Sequence, residues 1–246
     1  MALKEALRQG YVPSPSEQQE ENLDQSYAFT SRQQVYFIIK RGLDVILSLL
    51  FLVILSPIFL VCTLAVKLES SGPAIFRQER MGRGGNPFRV YKFRTMYTHT
   101  PNNVATSQFK GVDHYITRVG KFFRATSLDE LPQLVNVLKG EMSLVGPRPL
   151  ILSEEEVHAQ RWENGVYLLR PGVTGYAQVN GRDLVTEESK VILDTEYLHR
   201  FSLWLDLKIL FKTVAVVFLR KDYQEGCVNE SQVVVEQEKS GDAHAA

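Results

Sequence analysis

Val45-Ile-Leu-Ser-Leu-Leu-Phe-Leu-Val-Ile-Leu-Ser-Pro-Ile-Phe-Leu-Val-Cys-Thr-Leu-Ala-Val66 is a run of 22 residues whose only polar members are Ser48, Ser56 and Thr63. As a helix rising about 1.5 Å per residue, it is long enough to cross the hydrocarbon core of a bilayer. A plain single-pass helix is one reading. Three details favour another. Ser56-Pro57 falls at the centre, where proline removes a backbone donor and crowds the preceding turn, so the helix is expected to kink. Lys40-Arg41 precedes the run and Lys67 follows it, so the positive-inside rule picks no direction and suits two cytoplasmic ends. Each half is roughly 16 Å long, enough for one leaflet. A re-entrant helix that dips in and returns accounts for all three, and a kinked spanning helix stays open. Asp44 and Glu69 bracket the segment at headgroup level.

The 246 residues carry 28 Lys+Arg and 28 Asp+Glu, but the neutral total hides an uneven spread. Between Arg77 and Arg148 there are twelve basic residues against five acidic ones, whereas between Met1 and Ser31 the balance is two against five. A basic centre favours anionic partners: nucleotide, phospholipid headgroup or nucleic acid. Cys62 and Cys227 have no metal-like spacing, and a cytosol-facing chain without disulfides is expected. The five histidines, His99, His114, His158, His199 and His244, also lack ligand spacing. Residues 1–31 are rich in Gln, Glu, Ser and Pro without an apolar core, which predicts a disordered arm rather than a cleavable signal.

After Gly72-Pro73 the pattern becomes that of a folded soluble region. Residues 74–78 and 88–93 alternate as short strands around the Gly-rich turn 81–87, which predicts a β-hairpin. Helical spacing with a basic face covers 116–123. A short helix is expected over 131–138, ended by Lys139-Gly140, and a surface helix over 154–162. Gly146-Pro-Arg-Pro149 reads as a rigid turn and 170–182 as a loop. Residues 187–200 form a helix. Residues 203–219 are apolar but carry Asp206, Lys208 and Lys212, which fits an amphipathic helix lying in a membrane interface; an ordinary core helix is the alternative. The tail after Gln224 is polar and loose.

Chemistry concentrates at Ser127-Leu-Asp-Glu-Leu-Pro-Gln133. Ser127-x-x-Glu130 matches a capping box, so a purely structural pair of acids is one reading. Pro132 argues for a helix starting at Asp129 or Glu130, which places the proline in a tolerated first turn and Asp129 at the positive end of the dipole. An ionised Asp129 there can attack phosphorus, and Glu130 can hold a divalent metal. Arg94, Arg124 and Arg148 lie beside this pair or beside pinned segments, and a guanidinium fork suits phosphate. The segment from Arg170 to Arg182 adds Gly172, Gly175, Gly181, Gln178 and Asn180, polar groups able to read a base or sugar. No Walker A pattern and no dinucleotide fingerprint occurs.

Taken together, Lys40-Arg-Gly-Leu-Asp44, Ser56-Pro57, Tyr91-Lys-Phe-Arg-Thr-Met96, Ser127–Leu134, Asn136-Val-Leu-Lys-Gly140, Met142–Pro149 and Arg170–Arg182 resemble the bacterial sugar transferase family, the monotopic phosphoglycosyl transferases. The resemblance covers about residues 38–222. It implies a re-entrant Ser56-Pro57 helix. It also implies that Asp129 attacks the β-phosphate of a UDP-sugar, expels UMP and forms a covalent phospho-sugar that passes to undecaprenyl phosphate. Glu130 matches the family's metal-binding acid, with Mg²⁺ as the ion. Arg124 and Arg148 match its phosphate-handling arginines, and Asp194 falls in its Leu-Asp-x-x-Tyr stretch. The implied fold is α+β and mainly helical: an arm (1–35), a membrane-inserted helix (36–69), a cytosolic catalytic region with a hairpin and interfacial helices (70–224), and a tail (225–246). The implied place is the inner membrane, facing the cytoplasm, with exopolysaccharide assembly as the pathway and a homodimer or assembly proteins as partners. Residues 1–35 have no counterpart in minimal members, and Tyr176 stands where many carry Trp. A non-catalytic membrane scaffold is the alternative, and the intact Asp129, Glu130 and Arg148 speak against it. A nucleic-acid binder lacks any recognition-helix pattern.

Overall fold

The computed structural model describes residues 29–100, 114–180 and 187–219. Its first element, α1 (Ser31–Ile54), starts at a capping box: Thr30 accepts from the Gln33 backbone N–H, and the Gln33 side chain accepts from the Thr30 N–H. The expected boundary of the arm at residue 35 therefore falls inside α1. The chain then breaks at Leu55 and resumes as α2 (Ser56–Glu69), bent by 63° from α1. Proline's missing N–H would have bonded to the carbonyl four residues back, which is Val53. Ser56 Oγ donates to Val53 O instead, at 2.8 Å. Among the described residues no single helix is long and apolar enough to cross a membrane, although the bent pair together has the length and composition. Leu49, Leu50, Val53, Ile54, Leu60 and Val61 around the bend are exposed.

The hairpin is present and longer than its pattern predicts. Strands β1 (Ile75–Met81) and β2 (Pro87–Phe93) pair antiparallel from Ile75 opposite Phe93 to Met81 opposite Pro87. Its turn needs glycine: Gly85 has φ +71°, and a Cβ there would lie 2.5 Å from the Trp162 ring. Helix α3 (Arg118–Thr126) is capped twice. Thr117 Oγ1 accepts from Gly120 N, and the two Glu69 carboxylate oxygens accept from Arg118 N at 2.7 Å and Val119 N at 3.0 Å. Glu69 is thus a helix cap, an engagement its position after the apolar run does not reveal.

Helix α4 (Gln133–Lys139) leads into β3 (Ser143–Val145), which pairs in parallel with β4 (Gly172–Thr174). This second sheet and the short helix α6 (Tyr176–Val179) replace much of the loop expected over 170–182. The strands are too short for apolar alternation to register, and only glycines permit the contact: a Cβ on Gly172 would sit 2.1 Å from Gly146 N. Helix α5 (Glu155–Glu163) precedes β4 in the chain, and α7 (Glu187–Arg200) and α8 (Leu203–Leu219) follow α6.

Val90, Val137, Met142, Val145, Tyr197, Phe201 and Ile209 form the main core, each large side chain contributing about 1.5–3 kcal/mol of apolar burial. One polar knot crosses it. Asp206 of α8 accepts from Tyr36 Oη (2.7 Å) and Tyr197 Oη (2.6 Å) and pairs with Lys40, so it joins α1, α7 and α8. Its neighbours Trp204, Leu207 and Phe211 are exposed, which gives α8 the two-sided character predicted for it. Asp206→Ala leaves the half-buried Lys40 ammonium and the Tyr36 hydroxyl without this acceptor, and Tyr197 with only a 3.4 Å bond to Val145 O. Thermal unfolding is expected to show a loss of about 3–5 kcal/mol, larger than that of Lys208→Ala at an exposed position of the same helix.

Candidate active site

Ser127 closes α3 in the left-handed region at φ +56°, the sole non-glycine with positive φ among the described residues. The chain then makes a 3₁₀ turn over Leu128–Glu130 before Pro132 takes the N-cap of α4. Two expectations are corrected here. Asp129 and Glu130 precede the helix rather than start it, because a proline without an N–H is accommodated at its cap. Ser127 makes no capping bond, so the capping-box reading falls away.

Cations, instead of a helix end, surround the pair. Lys92 of β2 places Nζ 2.8 Å from Glu130 Oε1 and 3.9 Å from Asp129 Oδ2. The Arg148 guanidinium lies 3.3 Å from the same Glu130 oxygen. Arg124 donates Nε–H to Thr95 Oγ1 at 3.0 Å, and its charge reaches Asp129. The two acids respond oppositely. Burial, reinforced by Glu130, pushes the Asp129 carboxyl up to about 6 against the pull of Lys92, Arg124 and Arg148. Burial also opposes ionisation of Glu130, but Lys92 and Arg148 outweigh it and hold that carboxyl at about 2. Adjacent carboxylates with separated affinities for protons can take separate roles.

Sequence reasoning missed Lys92, which shares its strand with Arg89 and carries no local mark that sets it apart, and Arg80. The Arg80 guanidinium donates to Gln78 Oε1 and Pro149 O. Burial and then Arg148 push it down to about 10, still charged at neutral pH.

Other predicted residues are engaged elsewhere. Arg94 is buried, and its guanidinium donates to Ser70 O (2.7 Å) and Ser71 O (2.6 Å), so it fastens the end of α2 instead of facing the acids. Arg170 donates Nε–H to Gly140 O, at the end of α4 remote from Asp129. Gln178 bonds to Val173 O, and Asn180 accepts from Lys212 of α8. Asp194 is 1 % exposed and paired with Arg161. Arg182 lies outside the described residues.

The donor set can be weighed against Mg²⁺. No group of three or more His, Cys, Asp or Glu side chains converges among the described residues. Mg²⁺ needs no such cage: it keeps waters and takes one or two carboxylates plus substrate phosphates. Asp129 and Glu130 fit that pattern, with Glu130 offering Oε2 because Lys92 and Arg148 hold Oε1.

Residues 35–220 match the sequence profile described as Bacterial sugar transferase. The chain belongs to that family. Named relatives include a UDP-glucose:undecaprenyl-phosphate glucose-1-phosphate transferase of Escherichia coli, 45% identical over 75% of this chain and 41% of that protein. A protein of the same description from Caulobacter vibrioides is 44% identical over 71% of this chain and 68% of its own length. An undecaprenyl-phosphate galactose phosphotransferase of Salmonella typhimurium is 41% identical over 75% and 41%, respectively. The chain thus spans about two fifths of the Escherichia coli and Salmonella relatives.

The raised Asp129 carboxyl has a stability consequence. Folding favours its protonated form, so native stability falls as pH rises from the ordinary carboxylate range through about 6. Asp129→Asn is expected to raise the melting temperature by several degrees at pH 8 and to lose that advantage towards pH 4, as scanning fluorimetry at both pH values can measure.

Proposed function

We propose that this chain transfers a sugar phosphate from a UDP-sugar to undecaprenyl phosphate at the cytoplasmic face of the inner membrane. The observation that carries the reading is the buried Asp129 beside Glu130 among Lys92, Arg124 and Arg148, in a chain whose relatives are named for that transfer.

In the first step an ionised Asp129 oxygen attacks the β-phosphorus of the donor. The bond from that phosphorus to the bridging oxygen breaks, and UMP departs with the bridging oxygen and its electron pair. Asp129 then holds the phospho-sugar as an acyl phosphate. In the second step an oxygen of undecaprenyl phosphate attacks the same phosphorus, the Asp129–phosphorus bond breaks, and the carboxylate returns. A carboxylate whose proton affinity is raised is a stronger nucleophile than an ordinary one. Lys92, Arg124 and Arg148 supply fixed positive charge where the diphosphate and the leaving UMP carry negative charge. Glu130 stays ionised throughout and keeps Lys92 and Arg148 in place. Mg²⁺, held by Asp129 or Glu130 and the donor phosphates, would neutralise charge on the leaving group.

Two successive steps let a water-soluble donor and a lipid acceptor use one nucleophile in turn. The bent pair α1–α2 serves the lipid side. Its exposed apolar apex has the composition of a membrane insert, and the 63° bend suits entry and return through one leaflet. The exposed Trp204 and Phe211 of α8 would rest at the interface.

Protein in nanodiscs, given Mg²⁺, undecaprenyl phosphate and a panel of UDP-sugars, is expected to release UMP from at least one donor. Asp129→Asn should abolish release, and single-turnover rate should rise with pH through about 6 to a plateau. Absence of UMP across a broad panel, or full activity in Asp129→Asn, refutes the proposal.

A further inference from the structure

The segment that carries Arg148 is fastened carbonyl by carbonyl. Pro147 O accepts from Gly172 N at 2.8 Å, and Leu150 O accepts from Met81 N at 3.0 Å. Between them, Arg148 O accepts from Arg161 NH1 at 2.8 Å and Pro149 O from Arg80 NH1 at 3.2 Å. Ile151 O faces His158 Nε2 at 2.8 Å. The donors come from β4, β1 and α5, so three elements converge on five consecutive residues. The middle two bonds are the unusual ones. Main-chain carbonyls at such turns ordinarily face water or backbone donors, whereas here each receives a guanidinium from a distant strand or helix.

Arg161 is 2 % exposed, and its other terminal nitrogen binds Asp194 Oδ2, which is 1 % exposed. An isolated buried charge is very costly, and even a paired one seldom outperforms an apolar replacement of the same shape. A planar fork spans two acceptors in one geometry, which an ammonium on a flexible stem does not. The ion pair therefore has a geometric use: Asp194 orients Arg161, and Arg161 fixes the carbonyl of the residue whose guanidinium reaches Glu130.

We propose that Arg161, oriented by Asp194 and assisted by Arg80, is a positioning residue that sets the placement of Arg148 at the acidic pair. None of the three needs to touch the reacting phosphorus. This rests on the proposed reaction, in which Arg148 meets the phosphates.

The test is a double-mutant cycle on UMP release by the full chain in nanodiscs, using Asp194→Asn and Arg148→Lys. A loss of roughly 10- to 100-fold in kcat/KM is expected for Asp194→Asn alone, the size produced by a misplaced group. In the Arg148→Lys background Asp194→Asn is expected to cost nothing further, because its effect passes through Arg148. Equal losses in both backgrounds, or no loss in either, overturn the proposal. Should Asp194→Asn not fold, Arg161→Lys replaces it, since that variant keeps the buried charge and lacks the fork. If the wild-type chain releases no UMP from any donor, the proposed reaction is what fails. Hydrogen exchange over residues 146–152 then decides the positioning separately: faster exchange in Asp194→Asn supports it, and unchanged exchange overturns it.

Discussion

Guanidinium to main-chain carbonyl is the joint on which this structure depends. Arg41 of α1 donates to Val137 O and Leu138 O at the end of α4, Arg94 closes the end of α2, Arg170 holds Gly140 O, and Arg80 and Arg161 hold the turn at Arg148. A helix or turn that ends inside a protein leaves carbonyls without partners, and each orphan is costly when buried. This chain has many such ends, since α3, α4, α5 and α6 are short and, among the described residues, the two sheets have two strands each. Arginine suits the task because one side chain can reach several acceptors while its stem covers apolar surface. The basic centre of the sequence is therefore as much a scaffold as an attraction for anions.

That scaffold leaves a separate set of cations for the acids. Lys92, Arg124 and Arg148 come from β2, α3 and the turn after β3. Because they are mounted on different elements, their charges are held in place in advance, so the proposed transfer would need little reorganisation when a phosphate arrives. Removing Asp129 from water raises its carboxyl, while two close cations keep its neighbour ionised. Environment, not residue type, distinguishes the two.

Much of this was legible in the sequence. The apolar run, its Ser56-Pro57 break, the hairpin and α7 follow from pattern, since each rests on local chemistry that a single segment displays. Asp129, Glu130 and Arg148 stood out because acids beside a proline and an arginine between prolines are locally unusual. The structure then placed Arg124 near them and carried Arg94, Arg170 and Asp194 elsewhere. Local sequence cannot tell an arginine that meets a phosphate from one that meets a carbonyl, because the donors are identical and only the tertiary partner differs. Lys92 and Arg161 were missed for the same reason. The parallel pair β3–β4 was hidden because strands of three residues carry no periodicity, and the helix start was misplaced because Pro132 is tolerated both in a first turn and at the cap.

The Ser56 hydroxyl on Val53 O makes the bend between α1 and α2 self-sufficient. Its broken backbone acceptor is satisfied from within, without water or a neighbouring helix. Seated in lipid as proposed, a chain that turns back inside one leaflet has no far interface to reach. Unlike a spanning helix, which must tilt or stretch to match its surroundings, it would tolerate bilayers of different thickness at constant depth. The distance from membrane surface to Asp129 would then be a property of the protein, set by the bend and by the Asp206 knot that ties α1 to the rest of the fold.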